Sequence, residues 1–163
     1  MNKKLLFTVV ILLTAGITFF LWPNDEKKIR HNLGLLADYC SSAPQEALLA
    51  GLTKATKAAA LCKDPCHVQV ESFHFITDEF QKKELRDHIV RMKKMLPETS
   101  FTFHDTVIEF AENDQADIIT TLTLTGKIEK GHFTDAYELN IGTEKIDGDW
   151  LFSSFRVVEF MEK

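Results

Sequence analysis

Hydrophobic positions follow three different regimes along the chain. In residues 5–22 they are almost continuous and no charge interrupts them. About eighteen to twenty apolar residues in helical form match the hydrocarbon core of a bilayer, so this run predicts a membrane anchor over residues 1–23. A secretory signal has a shorter apolar core that ends in a small-x-small site, and the only such pair here, Thr14 and Gly16, is followed by more apolar residues. Trp22-Pro23-Asn24-Asp25 reads as an interfacial aromatic, a helix stop and a return to water.

Beyond the anchor the apolar residues take helical spacing. Ile29, Leu33, Leu36 and Cys40 lie on one helical face. Leu48, Leu52, Ala55, Ala59 and Cys62 predict a second, Ala-rich helix, closed by Lys63-Asp64-Pro65. Residues 67–75 read as a short strand. Thr77-Asp78-Glu79 then opens a third predicted helix with Phe80, Leu85, Ile89, Met92 and Leu96 inward. On it Lys82, Lys83, Arg86, Arg91, Lys93 and Lys94 are expected to form a solvated face.

After Pro97 the period changes to that of strands. Residues 101–112, 116–129, 133–146 and 150–160 are β-rich, and Asn113-Asp114, Lys130-Gly131 and Asp147-Gly148 separate them as turns of consecutive antiparallel hairpins. Strict alternation in the last run puts Trp150, Phe152, Val158 and Phe160 on one face. It puts Leu151, Phe155, Val157 and Met161 on the other. Leu151, Phe155 and Val157 are therefore the expected interface residues. The soluble part is one domain, residues 24–163, large enough to bury a core without staples.

Composition narrows the partners. The formal net charge is −5 and the basic residues are spread along the chain, so a nucleic-acid partner is not expected. Cys40, Cys62 and Cys66 all lie in the soluble part, and paired cysteines persist outside the cytoplasm. Basic residues flank the anchor on both sides, with Lys3 and Lys4 before it and Lys27, Lys28 and Arg30 after it, so charge does not orient it. The expected arrangement is a single-pass inner-membrane protein with its domain in the periplasm or another extracytoplasmic space.

The element order resembles that of the nuclear transport factor 2-like (SnoaL-like, cystatin-like) α+β superfamily. Phe101-Thr102-Phe103-His104-Asp105-Thr106-Val107-Ile108-Glu109 followed by Asn113-Asp114-Gln115-Ala116 is similar to its strand, turn and strand. Lys145-Ile146-Asp147-Gly148-Asp149-Trp150-Leu151-Phe152 is similar to its closing turn, an acidic-Gly pair before Trp. The resemblance covers roughly residues 25–161. It implies a cone-shaped domain with three helices packed on a curved, mainly antiparallel sheet, here a membrane-anchored member. It further implies a pocket at the open end and a dimer through the sheet. The superfamily holds isomerases, cyclases, dehydratases, transport adaptors and non-catalytic assembly domains, so the fold does not choose among them. The Asn-Pro-x-Gly turn of the membrane-anchored secretion-machine members is absent.

An isomerase or cyclase of this fold needs a base near the proton and a hydroxyl or acid to hold the oxyanion. Tyr39 can offer the hydroxyl; His74, His104 and Asp105 can offer the base. The bland readings are a helix-end tyrosine and strand-edge polar residues. For the cysteines three readings stay open: a disulfide, with Cys62–Cys66 the local pair and Cys40 left over; free thiols; or a metal site completed by His67. No phosphate loop, Gly-x-Ser-x-Gly elbow or His-Glu-x-x-His helix occurs, and no cofactor is expected. The function expected is a non-catalytic binding or assembly domain in the cell envelope, meeting the membrane through residues 5–22. Its other contact is a second copy or an envelope protein. The alternative is a small apolar-ligand binder or isomerase-like enzyme using the cone pocket.

Overall fold

The computed structural model describes residues 25–70, 76–112, 114–128 and 131–161. Among them no helix is long and apolar enough to cross a membrane, and the span predicted for residues 5–22 lies outside the described residues.

Helix α1, Asp25–Cys40, opens with Asp25 and Glu26 in its first turn, where negative charge meets the positive end of the helix dipole. Its inner face is the predicted one: Ile29, Leu33 and Leu36 are buried. Helix α2, Leu48–Ala60, departs from expectation. Its buried stripe is Ala55, Ala58 and Ala59, while Leu48 and Leu52 are 71% and 43% exposed. The small alanines let the second half of the helix pack closely, and the first half leans out of the core.

Strand β1, Cys62–Val70, starts five residues earlier than predicted and pairs antiparallel with β2, Ile76–Phe80. The segment Thr77-Asp78-Glu79, read from sequence as a helix opening, is thus strand. Helix α3, Lys82–Met95, starts instead after Gln81, whose backbone N–H donates to Glu84 Oε2 at 3.0 Å. A cap glutamate three residues into the helix stops fraying as well as an acidic residue before it. The remaining strands are β3, Thr99–Phe110; β4, Gln115–Ile128; β5, Gly131–Ile146; and β6, Asp149–Met161. Sheet order is β2-β1-β6-β5-β4-β3, antiparallel throughout except for the parallel β1–β6 pair. The predicted Asp147-Gly148 turn is present with positive φ at both residues, 52° and 90°, the conformation that a two-residue hairpin demands.

Three helices therefore lie on a mixed, curved sheet. The core joins Ile29, Leu33 and Leu36 of α1 and the alanines of α2 to Ile118, Ile141, Trp150 and Phe152 of the sheet. Bulges decide which side chains reach it. In β3 the register slips between His104 and Val107, and Asp105 takes φ 50°. In β6 one residue is gained between Phe152 and Ser154 and another between Val157 and Glu159. Each extra residue shifts the parity of all that follow. Phe155 and Val157 consequently turn to the same face as Phe152 and pack against the core, with the Phe155 and Phe152 ring centroids 5.7 Å apart. This corrects the expectation that they share the opposite face with Leu151. Leu151, opposite Glu144, keeps it.

Candidate functional site

The residues proposed from sequence for acid–base chemistry do not meet. Tyr39, in the last turn of α1, packs its ring against the core and carries the Lys57 ammonium over it at 5.7 Å. Asp105 is exposed in the β3 bulge. That bulge is pinned to the other half of α1, since Arg30 donates to the Thr106 carbonyl at 3.2 Å. Arg30 and Tyr39 are nine residues apart on one helix, a rise of about 13 Å, too far for a shared proton. His104 is exposed; its backbone carbonyl accepts from Thr120. His74 lies outside the described residues. Among the described residues no Asp, Glu or His is buried; the buried polar side chains are Ser42, Lys93, Thr99, Thr120 and Thr143.

Lys93 is the exception that sequence reading missed. It was expected on the solvated face of α3, yet it sits one turn beyond Ile89 on the buried stripe. The four-residue offset from Ile89 was the available signal. Its Nζ donates to the Ser41 carbonyl, lies 3.5 Å from Ser42 Oγ and stands 3.2 Å from Glu46 Oε2. Side-chain exposures of 6% for Lys93 and 13% for Glu46 make this a buried pair. Lys54 reaches the other Glu46 oxygen at 3.2 Å, and also Asp38 at 3.8 Å. Burial pushes the Glu46 carboxyl up, but the hydrogen bonds from Lys54 and Lys93 outweigh it and hold the group below the usual range.

Beside this pair a cleft of about 230 Å³ opens between α2 and α3, lined among others by Ser42, Glu46, Leu48, Leu52, Val90 and Lys93. Leu48, in its lining, is 71% exposed, and Leu49 and Met95 of the same two helices are 77% and 73% exposed. With its amine shared among a carbonyl, a hydroxyl and a carboxylate, Lys93 is a positioning group. It ties the linker between α1 and α2 to α3.

The three cysteines are free thiols. Cys62 and Cys66 are both buried in the core, the Cys62 thiol donating to the Ala58 carbonyl at 3.7 Å and the Cys66 thiol to the His67 carbonyl at 4.0 Å. Cys40 packs against the same cluster; burial raises its thiol to about 11. Among the described residues no group of three or more His, Cys, Asp or Glu is arranged to hold a metal ion.

No family model and no curated protein matches the sequence. Solved structures do match in shape. A protein of unknown function from Mycobacterium tuberculosis is 12% identical with a TM-score of 0.68, covering 85% of this chain and 77% of its own. A hexachlorocyclohexane dehydrochlorinase is 16% identical with a TM-score of 0.66, covering 84% and 87%. A Nostoc punctiforme protein of unknown function with a cystatin-like fold is 15% identical with a TM-score of 0.61, covering 88% and 96%. At such identities the likeness is one of architecture, and this chain has the cystatin-like, nuclear transport factor 2-like α+β fold.

Proposed function

We propose that the chain is a membrane-tethered, non-catalytic binding domain of the cell envelope. Residues 1–23 are its anchor and residues 24–163 its extracytoplasmic domain. The partner is a protein that lays an apolar segment along the exposed apolar side chains of α2 and α3, Leu48, Leu49, Leu52 and Met95. The observation that carries this reading is the state of the buried ionisable groups. Among the described residues the buried charge, Lys93, is bound up with Glu46 and two oxygens of the α1–α2 linker, and the Glu46 carboxylate that lines the cleft is itself tied to both Lys93 and Lys54. A pocket whose carboxylate is held ionised between two lysines has little to offer isomerase chemistry, whereas exposed apolar side chains on a helix face mark contact surfaces.

The test uses the full chain in its own envelope. Photo-reactive side chains at positions 48 and 95 are expected to give adducts with one envelope protein, and one at His104 none. The chain itself should stay with the membrane in alkaline carbonate. Release by carbonate would sink the tether, and equal adducts at all three positions would sink the contact surface.

The second reading, a small apolar-ligand binder or isomerase-like enzyme, draws support from the dehydrochlorinase of the same fold and from the cleft. An apolar fluorescent probe that binds the chain at micromolar concentration, and is lost in Leu52→Glu without loss of folding, would favour it.

A further inference from the structure

We propose that Cys62 and Cys66 are a covalent modification site, joined by a disulfide that closes the bulge at the start of β1. On a regular strand two residues four apart have Cα atoms about 13 Å apart. A disulfide needs Cα atoms within about 7 Å. Sequence spacing alone therefore speaks against the pair, and the register of β1 answers it. Cys62 lies opposite Phe152 of β6, and His67 lies opposite Ser154. Five steps along β1 thus advance only as far as Phe152 to Ser154 on β6, a stretch that is itself bulged and matches the single step from Thr143 to Gly142 on β5, about 3.3 Å of strand. The surplus is taken up by Lys63, Asp64 and Pro65, of which Asp64 and Pro65 are exposed.

Residues four apart on a strand share a face, and both of these side chains face the core. Cys62 and Cys66 are 1% and 0% exposed and sit in the same core cluster. No polar side chain is needed to bring them together; the backbone does it. In the open chain either thiol can start the exchange, here taken as that of Cys66. Its thiolate attacks a sulfur of a disulfide donor, such as oxidised glutathione or an oxidised dithiol protein, and one donor thiolate leaves. Cys62 sulfur then attacks Cys66 sulfur in the mixed disulfide and expels the donor's other half. The Cys62–Cys66 bond forms, the donor's S–S bond is reduced, and the two protons lost by the cysteines end on the donor's two thiols. Because both sulfurs are enclosed in the finished fold, the exchange belongs to the folding chain, before the helices cover β1. Cys40, at the end of α1 and outside the bulge, remains a thiol.

The inference stands apart from the tether and the partner, and its test needs neither. The full chain in detergent is unfolded, refolded with reduced and oxidised glutathione, then alkylated in denaturant and weighed. Labelled cysteines should fall from three to one, with the peptide carrying Cys62 and Cys66 lighter by two hydrogens. Cys40→Ser should fall from two labels to none. Three labels on the wild type after refolding, or a linkage that includes Cys40, would overturn the assignment.

Discussion

On the inner face of the sheet Ile118, Ile141 and Phe152 are fully enclosed, and the hydroxyls among them are occupied locally: Thr120 donates to the His104 carbonyl and Thr143 to the Ala116 carbonyl, each at 2.8 Å. At the α2–α3 end the order is reversed, with an ion pair buried underneath and leucines facing water. The first region follows the hydrophobic rule, and its side chains account for one another. The second violates it twice, by enclosing a lysine and by exposing Leu48, Leu49 and Met95. Departures from local consistency concentrate where a protein does something other than fold. The cleft, not the interior of the cone, is the part of this domain that asks for a function.

The contrast predicts different costs. Phe152→Ala removes a fully enclosed ring and should cost about 3–5 kcal/mol in urea unfolding. A cost under about 1 kcal/mol would mean that the inner face is loosely filled and has room for a ligand. Lys93→Ala breaks the buried pair and leaves Glu46 to Lys54 alone. Loss of one partner of such a pair costs about 3 kcal/mol at the low end of the usual range. Lys93→Met, which fills the volume without the charge, should lose as much in the Glu46 background and recover part of it when combined with Glu46→Gln. Additive losses in that double variant would show that the two groups do not act as a pair.

The two regions also differ in how far they can be read from sequence. The inner face was largely legible: Ile29, Leu33 and Leu36 repeat at helical spacing, and Asp147-Gly148 announces the hairpin that closes the sheet. Reading failed where a single residue changes parity. The extra residue between Phe152 and Ser154 turns Phe155 and Val157 inward, and nothing in the Ser153-Ser154 pair signals it. It failed again at Thr77-Asp78-Glu79, which looks like a helix opening but pairs with β1 as strand. The cleft was illegible for a different reason. Lysine is rarely enclosed without a partner, and the partner of Lys93 is forty-seven positions earlier, in a linker with no periodicity. Burial of a charge is a property of the pair, so neither residue discloses it alone.

Acid should reach the cleft before the inner face. Glu46 has a folded value below its ordinary one, as does Asp25, which lies beside the Trp150 indole and 2.9 Å from Lys145. A depressed carboxyl contributes stability that is complete above its unfolded value, about 4.3 for Glu. That contribution is lost as pH falls through the lower folded value. Urea midpoints should therefore be level from pH 7 to about 5 and decline below about 4. Glu46→Gln should be less stable at pH 7 and show a shallower decline. An unchanged slope in that variant would remove Glu46 from the acid transition.

The smallest effect is expected where sequence reading placed a catalytic base. Asp105 is exposed and held at φ 50° by the β3 bulge, a conformation that costs a residue with a Cβ about 1 kcal/mol or more, less for Asp. Asp105→Gly relieves that cost in the folded state and adds freedom to the unfolded chain, two terms of similar size and opposite sign. The urea midpoint should move by no more than about half a kcal/mol in equivalent free energy, and adduct formation at position 48 should not change. A base needed for chemistry would behave otherwise, because its removal would leave stability intact and abolish function. A loss of both, by contrast, would mean that the Asp105 carboxylate supports the bulge that aligns β3 with α1 through Arg30 and Thr106.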